Sequence, residues 1–147
     1  MSMTEDGFDL QAFARRTQAV REFGHERPPD GVSFWCRYPS RFERLAIDTR
    51  HADDNAAKVR AVVLASVIGW AGVKVIHALP EAKNGADPLP FGPDTLALLF
   101  DERTEWLIDL WQDIKTRIAE RDQRIENALK NSESASASNG GALAPVH

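Results

Sequence analysis

Two segments rich in proline and glycine constrain the fold of this chain more than any other feature. The first is Arg-Pro-Pro-Asp-Gly at 27–31, and the second runs from Pro80 to Pro93 with Asn84-Gly85 inside it. Proline fixes φ and has no backbone N–H to donate, so no helix passes through the first segment. Asn-Gly favours a tight turn with positive φ. The sequence therefore predicts blocks of regular structure joined by these two turn regions.

A helix is predicted before the first turn region. Five side chains are spaced three or four residues apart and would therefore share one helical face: Leu10, Phe13, Thr17, Val20 and Phe23. Asp9 suits the N-cap of this helix, and Gly24 suits its stop.

A short strand is predicted directly after the first turn region. Residues 32–38 alternate with a period of two between apolar side chains, such as Phe34 and Cys36, and more polar ones. Trp35 lies on the otherwise polar face, so we expect that face to be covered as well.

Ser40 and Glu43 give the clearest local signal in the chain. This spacing is a capping box, in which the serine side chain accepts from a backbone N–H and the glutamate accepts from the N–H of Ser40. The predicted helix continues to about Gly69, with Phe42 and Leu45 on its apolar face. Its polar, alanine-rich middle allows a kink or break near Asp53-Asp54. The following stretch, 72–79, has β-character.

Two further helices are predicted after the second turn region. Pro93-Asp94 opens one, because proline suits the first helical turn, and Thr104 begins the other. The last helix has one apolar face: Leu107, Leu110, Trp111, Ile114, Ile118, Ile125 and Leu129. This stripe thins beyond Ile114, so we expect the helix to project from the domain beyond about residue 115. The composition of Ser132–His147 predicts disorder.

These patterns predict a mainly α fold. We expect a single small helical domain over residues 1–131, with one or two short β-strands, followed by a disordered C-terminal tail over residues 132–147.

The composition argues against several classes of function. The net charge is −4, whereas a nucleic-acid-binding protein typically has a strongly basic surface. The single cysteine, Cys36, excludes an intrachain disulfide and suits a reducing compartment. The N-terminus lacks the pattern of a signal peptide, and no apolar run is long enough to span a membrane. We therefore expect a cytoplasmic protein with neither nucleic acid nor a membrane as its partner.

The sequence contains no recognisable catalytic, cofactor-binding or metal-binding motif, so we do not expect an enzyme. His51 has aspartates three residues before and after it, which fits a solvated helix face better than a metal site. Cys36 is better explained as buried filler than as a nucleophile. Trp70 and Trp111 fit the core, whereas for Trp106 the core and an exposed partner-binding position remain equal alternatives.

The order of the motifs resembles that of the tail assembly chaperones of long-tailed (siphovirus-type) bacteriophages. A strand and Pro39-Ser40 precede Trp70-Ala71-Gly72-Val73, which matches a Trp-x-Gly-Val segment of that family. Residues 88–94, Pro-Leu-Pro-Phe-Gly-Pro-Asp, match its Pro-Leu-Pro-Phe-Ser-x-Glu segment, with Gly92 in place of serine and Asp94 in place of glutamate. The resemblance covers about residues 30 to 110.

The resemblance implies a protein that binds the tape measure protein in the host cytoplasm and assists tail tube assembly without entering the mature tail. It implies no cofactor, and it leaves contact with the tail tube protein and homo-oligomerisation open. We expect the partner-binding side chains to be Trp106, Ile118, Ile125 and Leu129. The alternative is a small structural virion protein, either a head–tail connector or a tail-completion protein. Related chaperones are often made in a second, longer form by a ribosomal frameshift, and we expect one near Lys130.

Overall fold

The computed structural model describes residues 9–27 and 31–140. Its helices and strands, in chain order, are α1 (Leu10–Arg21), β1 (Glu22–Arg27), β2 (Val32–Arg37), α2 (Arg41–Arg50), α3 (Asn55–Ser66), β3 (Val67–Ala71), α4 (Val75–Ala78), α5 (Pro93–Glu102) and α6 (Thr104–Gly140). The protein is mostly helical, as predicted, but where one or two short strands were expected it has a three-stranded antiparallel sheet, so it is not plainly all-α.

The chain divides into two compact units at Ile114 and Lys115. The first unit contains the sheet and the helices up to the first turns of α6. In the second unit, none of the described side chains between residues 115 and 133 is buried. A core is therefore found in the first unit only, as far as the structure describes the side chains.

The sheet has the strand order β1-β2-β3. β1 pairs with β2 through Gly24 opposite Trp35, and β2 pairs with β3 through Trp35 opposite Gly69. Gly24 therefore lies inside a strand, and its predicted role as a helix stop is wrong, because α1 already ends at Arg21. β1 has no apolar alternation, so its pairing with β2 was not visible in the local pattern.

Two further predictions after residue 66 need correction. The helix expected to reach Gly69 ends at Ser66, and Val67–Ala71 is strand β3. The stretch expected to be a strand holds a glycine with φ of +80°, Gly72, and then the single helical turn α4. A short apolar run fits a buried helix end and a buried strand equally well, and here pairing with β2 decides between them.

Phe34 occupies the centre of the core. Its ring lies 6.3 Å from that of Trp70, 5.4 Å from that of Phe100 and 6.2 Å from that of Trp106, measured between ring centroids. Val32 and Cys36 point to the same side of β2 and are buried with it. The predicted alternation of this strand is therefore confirmed, and Cys36 is a buried core residue.

Several predicted helix boundaries are confirmed. The capping box of Ser40 and Glu43 is present at the start of α2. The predicted break is present too, because α2 ends at Arg50 and Asp54 caps the separate helix α3. Pro93 begins α5 and Thr104 begins α6.

The C-terminal helix continues past the point where disorder was expected. α6 runs to Gly140, whereas the sequence pattern ended it at Asn131. Extending a helix costs far less than starting one, so a weakly helical composition can continue an existing helix. Residues 141–147 of the expected tail lie outside the described residues. Among the described helices, none is long and apolar enough to cross a membrane.

Candidate partner-binding surfaces

A network of hydrogen bonds fixes the start of α2. Ser40 Oγ accepts from the N–H of Glu43, and the Glu43 carboxylate accepts from the N–H of Ser40 and from both terminal nitrogens of Arg37 on β2. These bonds, that of Arg37 first among them, hold the pKa of Glu43 at about 2. The first turn of α2 is thereby tied to the end of the sheet.

The side of α2 that bears Phe42 and Leu45 faces solvent. Phe42 is 78% exposed and Leu45 is 61% exposed, which makes them the most exposed large apolar side chains that the structure describes. They lie three residues apart and are therefore neighbours on one helical face. We call this pair the α2 patch.

Phe42 and Leu45 lie on the predicted apolar face of the helix, and the structure leaves that face exposed at both residues. The buried side chain of α2 is instead Ile47, which lies on another side of the helix. The break at residues 51–54 separates α2 from α3, so the apolar stripe no longer follows one straight axis toward one core. Arg41, Asp48 and Thr49 are exposed beside the patch. An exposed apolar patch with a polar rim is typical of a protein-binding surface.

A second surface lies on the outer face of the sheet. A groove of about 480 Å³ is lined there by residues from all three strands: Gly24, His25, Ser33, Phe34, Trp35, Gly69, Trp70 and Ala71. Trp35 stands on this face and is 47% exposed. The expectation that this face is covered is therefore wrong for the described residues, because most of the neighbours of Trp35 on this face are glycine, serine or alanine.

The four side chains predicted to bind a partner differ widely in accessibility. Trp106 is only 4% exposed, and its ring contacts those of Phe34 and His77. Of the two positions considered for Trp106, it therefore occupies the one in the core. Ile118 and Ile125 are half-buried, and Leu129 is 58% exposed. Partner binding by these residues stays a prediction, and accessibility now favours Leu129 over Trp106.

The two segments that carry the family resemblance pack against each other. The indole N–H of Trp70 donates to the carbonyl of Leu89 at 2.8 Å, and its ring lies 4.9 Å from that of Phe91. Trp70 is half-buried, as is Trp111. Packing contacts within the chain therefore account for the positions of Trp70, Leu89 and Phe91.

His25 joins the sheet to α6. Its Nδ1 lies 2.9 Å from Oδ2 of Asp113, and its Nε2 lies 3.4 Å from Oδ2 of Asp109. The two aspartates are four residues apart on one helical face. Sequence reasoning missed this cluster because β1 itself was not predicted.

The described residues contain no group of three or more histidine, cysteine, aspartate or glutamate side chains that could hold a metal ion. Asp54, one of the aspartates near His51, accepts from the N–H of Ala57 as the cap of α3. Comparisons with known proteins gave no match to a family model, a curated protein or a solved structure.

Proposed function

We propose that this chain is a binding protein that holds an apolar helical client, and that it acts as a phage tail assembly chaperone for the tape measure protein. The observation that carries the proposal is the α2 patch, in which Phe42 and Leu45 present two large apolar side chains on one face of a helix. The family resemblance supplies the identity of the client.

The α2 patch suits a helical client by its geometry. A tape measure protein is a very long helical chain with apolar stripes, and such a stripe packs against apolar side chains that are spaced by one helical turn. The patch also sits on an anchored element, because Arg37 and the capping box hold the start of α2. Little conformational freedom would therefore be lost on binding.

The strength of a single contact fits a temporary complex. Burying one large apolar side chain contributes about 1.5–3 kcal/mol, so a patch of two gives weak binding at any single site. Many copies along one long client would keep it covered, while each copy could leave as the tube forms around the client. Weak contacts repeated along one chain add up through avidity.

The test is co-expression with the tape measure protein of the phage that encodes this chain. We expect the wild-type chain to keep the tape measure protein in the soluble fraction, and Phe42→Ser/Leu45→Ser to lose this effect. The matched control is Ile108→Ser, which also removes an exposed large apolar side chain but lies on α6. Equal activity of the double variant and the wild type would overturn the role of the patch.

Mass spectrometry of purified particles separates the proposal from the structural virion protein. A chaperone is absent from finished particles, whereas a connector or tail-completion protein is present in the copy number of a ring. Recovery of the chain from particles in such numbers would reject the chaperone proposal.

A further inference from the structure

The outer face of the sheet holds an exposed indole beside a carboxylate. Glu22 on β1 accepts a hydrogen bond from Nε1 of Trp35 on β2, and this bond fixes the direction of the ring. The ring extends over Gly24, since a Cβ atom at that position would lie 3.1 Å from Cζ3 and 3.3 Å from Cε3 of Trp35. One side of the indole is thus occupied by the sheet, and its remaining exposed surface faces outward.

The negative charge of Glu22 is not balanced by its nearest basic neighbour across the strands. Arg37 lies directly opposite Glu22 in the register of β1 and β2. Its guanidinium, however, is bound by both carboxylate oxygens of Glu43 on α2. Glu22 therefore keeps a negative charge next to an aromatic ring, and the described residues give its second oxygen no hydrogen-bond partner.

The floor of the groove is open next to this pair. A Cβ added at Gly69 would meet no atom within 4 Å, and Gly69 lies directly opposite Trp35 on β3. Ser33 and Ala71, which also line the groove, have short side chains. Glycine in a strand often marks a place where another chain approaches closely.

We propose that the outer-face groove binds an arginine side chain of a protein partner. The guanidinium would stack on Trp35 and donate to the second carboxylate oxygen of Glu22, while its aliphatic stem would lie over Gly69 and Ala71. Tryptophan is the best aromatic platform for a cation. Arginine suits this site better than lysine because its planar group both stacks on an aromatic ring and pairs with a carboxylate.

This inference does not rest on the proposed chaperone function or on the α2 patch. The two sites lie on different elements, so Phe42→Ser/Leu45→Ser is expected to leave arginine binding unchanged. Loss of client binding and loss of arginine binding can therefore be told apart in the same set of variants.

The test is a titration of the full-length, ¹⁵N-labelled chain with N-acetyl-arginine amide, followed by NMR at the indole N–H of Trp35. The Trp35 signal is identified by its absence in Trp35→Phe. We expect this signal to shift and saturate with the arginine compound and to stay in place with the uncharged N-acetyl-citrulline amide. The indole signals of Trp106 and Trp111, which do not line the groove, serve as internal controls.

Glu22→Gln is the decisive variant, because glutamine keeps an oxygen that accepts from the indole and removes only the charge. We expect it to weaken arginine binding about two- to fivefold, the upper part of the range for an exposed ion pair. Gly69→Val, which fills the floor of the groove, should weaken it as well. Equal shifts with citrulline, no shift with either compound, or unchanged affinity in Glu22→Gln would each overturn the proposal.

Discussion

The guanidinium of Arg37 donates two hydrogen bonds to the carboxylate of Glu43, with Nη1 2.7 Å from Oε1 and Nη2 2.6 Å from Oε2. This pair connects the last residue of β2 to the first turn of α2. It therefore contributes to both candidate surfaces, because it anchors the helix that bears the α2 patch and keeps Arg37 away from Glu22.

Glu43→Gln is expected to lower the free energy of unfolding at neutral pH by about 1 kcal/mol, the usual value of a helix cap. The folded-state pKa of Glu43, about 2, lies below its value of about 4.3 in an unfolded chain. Its stabilising effect is therefore full above about pH 4.3 and is lost as the pH falls toward 2. Urea unfolding across this range should show that the difference in free energy of unfolding between wild type and variant becomes smaller as the pH falls.

Glu81→Gln is the control for this measurement, because Glu81 is exposed in the loop after α4. It should follow the wild-type stability at every pH. A difference between wild type and Glu43→Gln that stays constant down to pH 2 would show that the charge of Glu43 is not what stabilises the start of α2.

Gly72→Ala is expected to destabilise the first unit by roughly 2 kcal/mol or more. Gly72 has φ of +80°, and an added Cβ would overlap the carbonyl oxygen of Gly31. Gly69→Ala is the matched control three residues away, where a Cβ meets no atom within 4 Å. Thermal unfolding should show a large decrease in melting temperature for Gly72→Ala alone. Similar melting temperatures for the two variants would contradict this account of the turn.

The parts of the fold that could be predicted from the sequence are those that local chemistry determines. Ser40 and Glu43 form their capping box within four residues, and Pro93 suits the first turn of α5 without help from distant residues. The alternation of β2 likewise follows from residues that are adjacent in the chain. Each of these signals needs only its own neighbours, so each was visible in the sequence.

The parts that were missed depend on pairing between distant segments. β1 is a strand because it pairs with β2. The apolar run of β3 is a strand and does not continue helix α3, because it pairs with the other edge of β2. The exposure of Phe42 accompanies the break at residues 51–54, which separates α2 from α3. Both candidate surfaces depend on these features, so neither could be found from sequence periodicity alone.

Ile118→Asp tests whether the second unit takes part in client binding. Ile118 is half-buried, and no described side chain between residues 115 and 133 is buried. We therefore expect this variant to weaken retention of the client with a change in unfolding free energy below about 1 kcal/mol. Co-expression and thermal unfolding of the same preparation measure the two effects. A large loss of thermal stability would show instead that this face belongs to a folded core.

The last prediction concerns a longer form of the chain. Lys130-Asn131 can be encoded by an adenine-rich run of the kind on which ribosomes slip. Proteins of the family that this chain resembles are often made in two lengths. We expect translation to leave this frame sometimes near Lys130, so that the residues before it are joined to a different C-terminal segment that binds a second partner, such as the tail tube protein. Intact mass measurement during phage production should then show a minor, longer species that shares residues 1 to about 130. Deleting Ser132–His147 from the short form should leave client binding unchanged. Detection of the 147-residue form alone, or a lysine codon that interrupts the adenine run, would reject the slip.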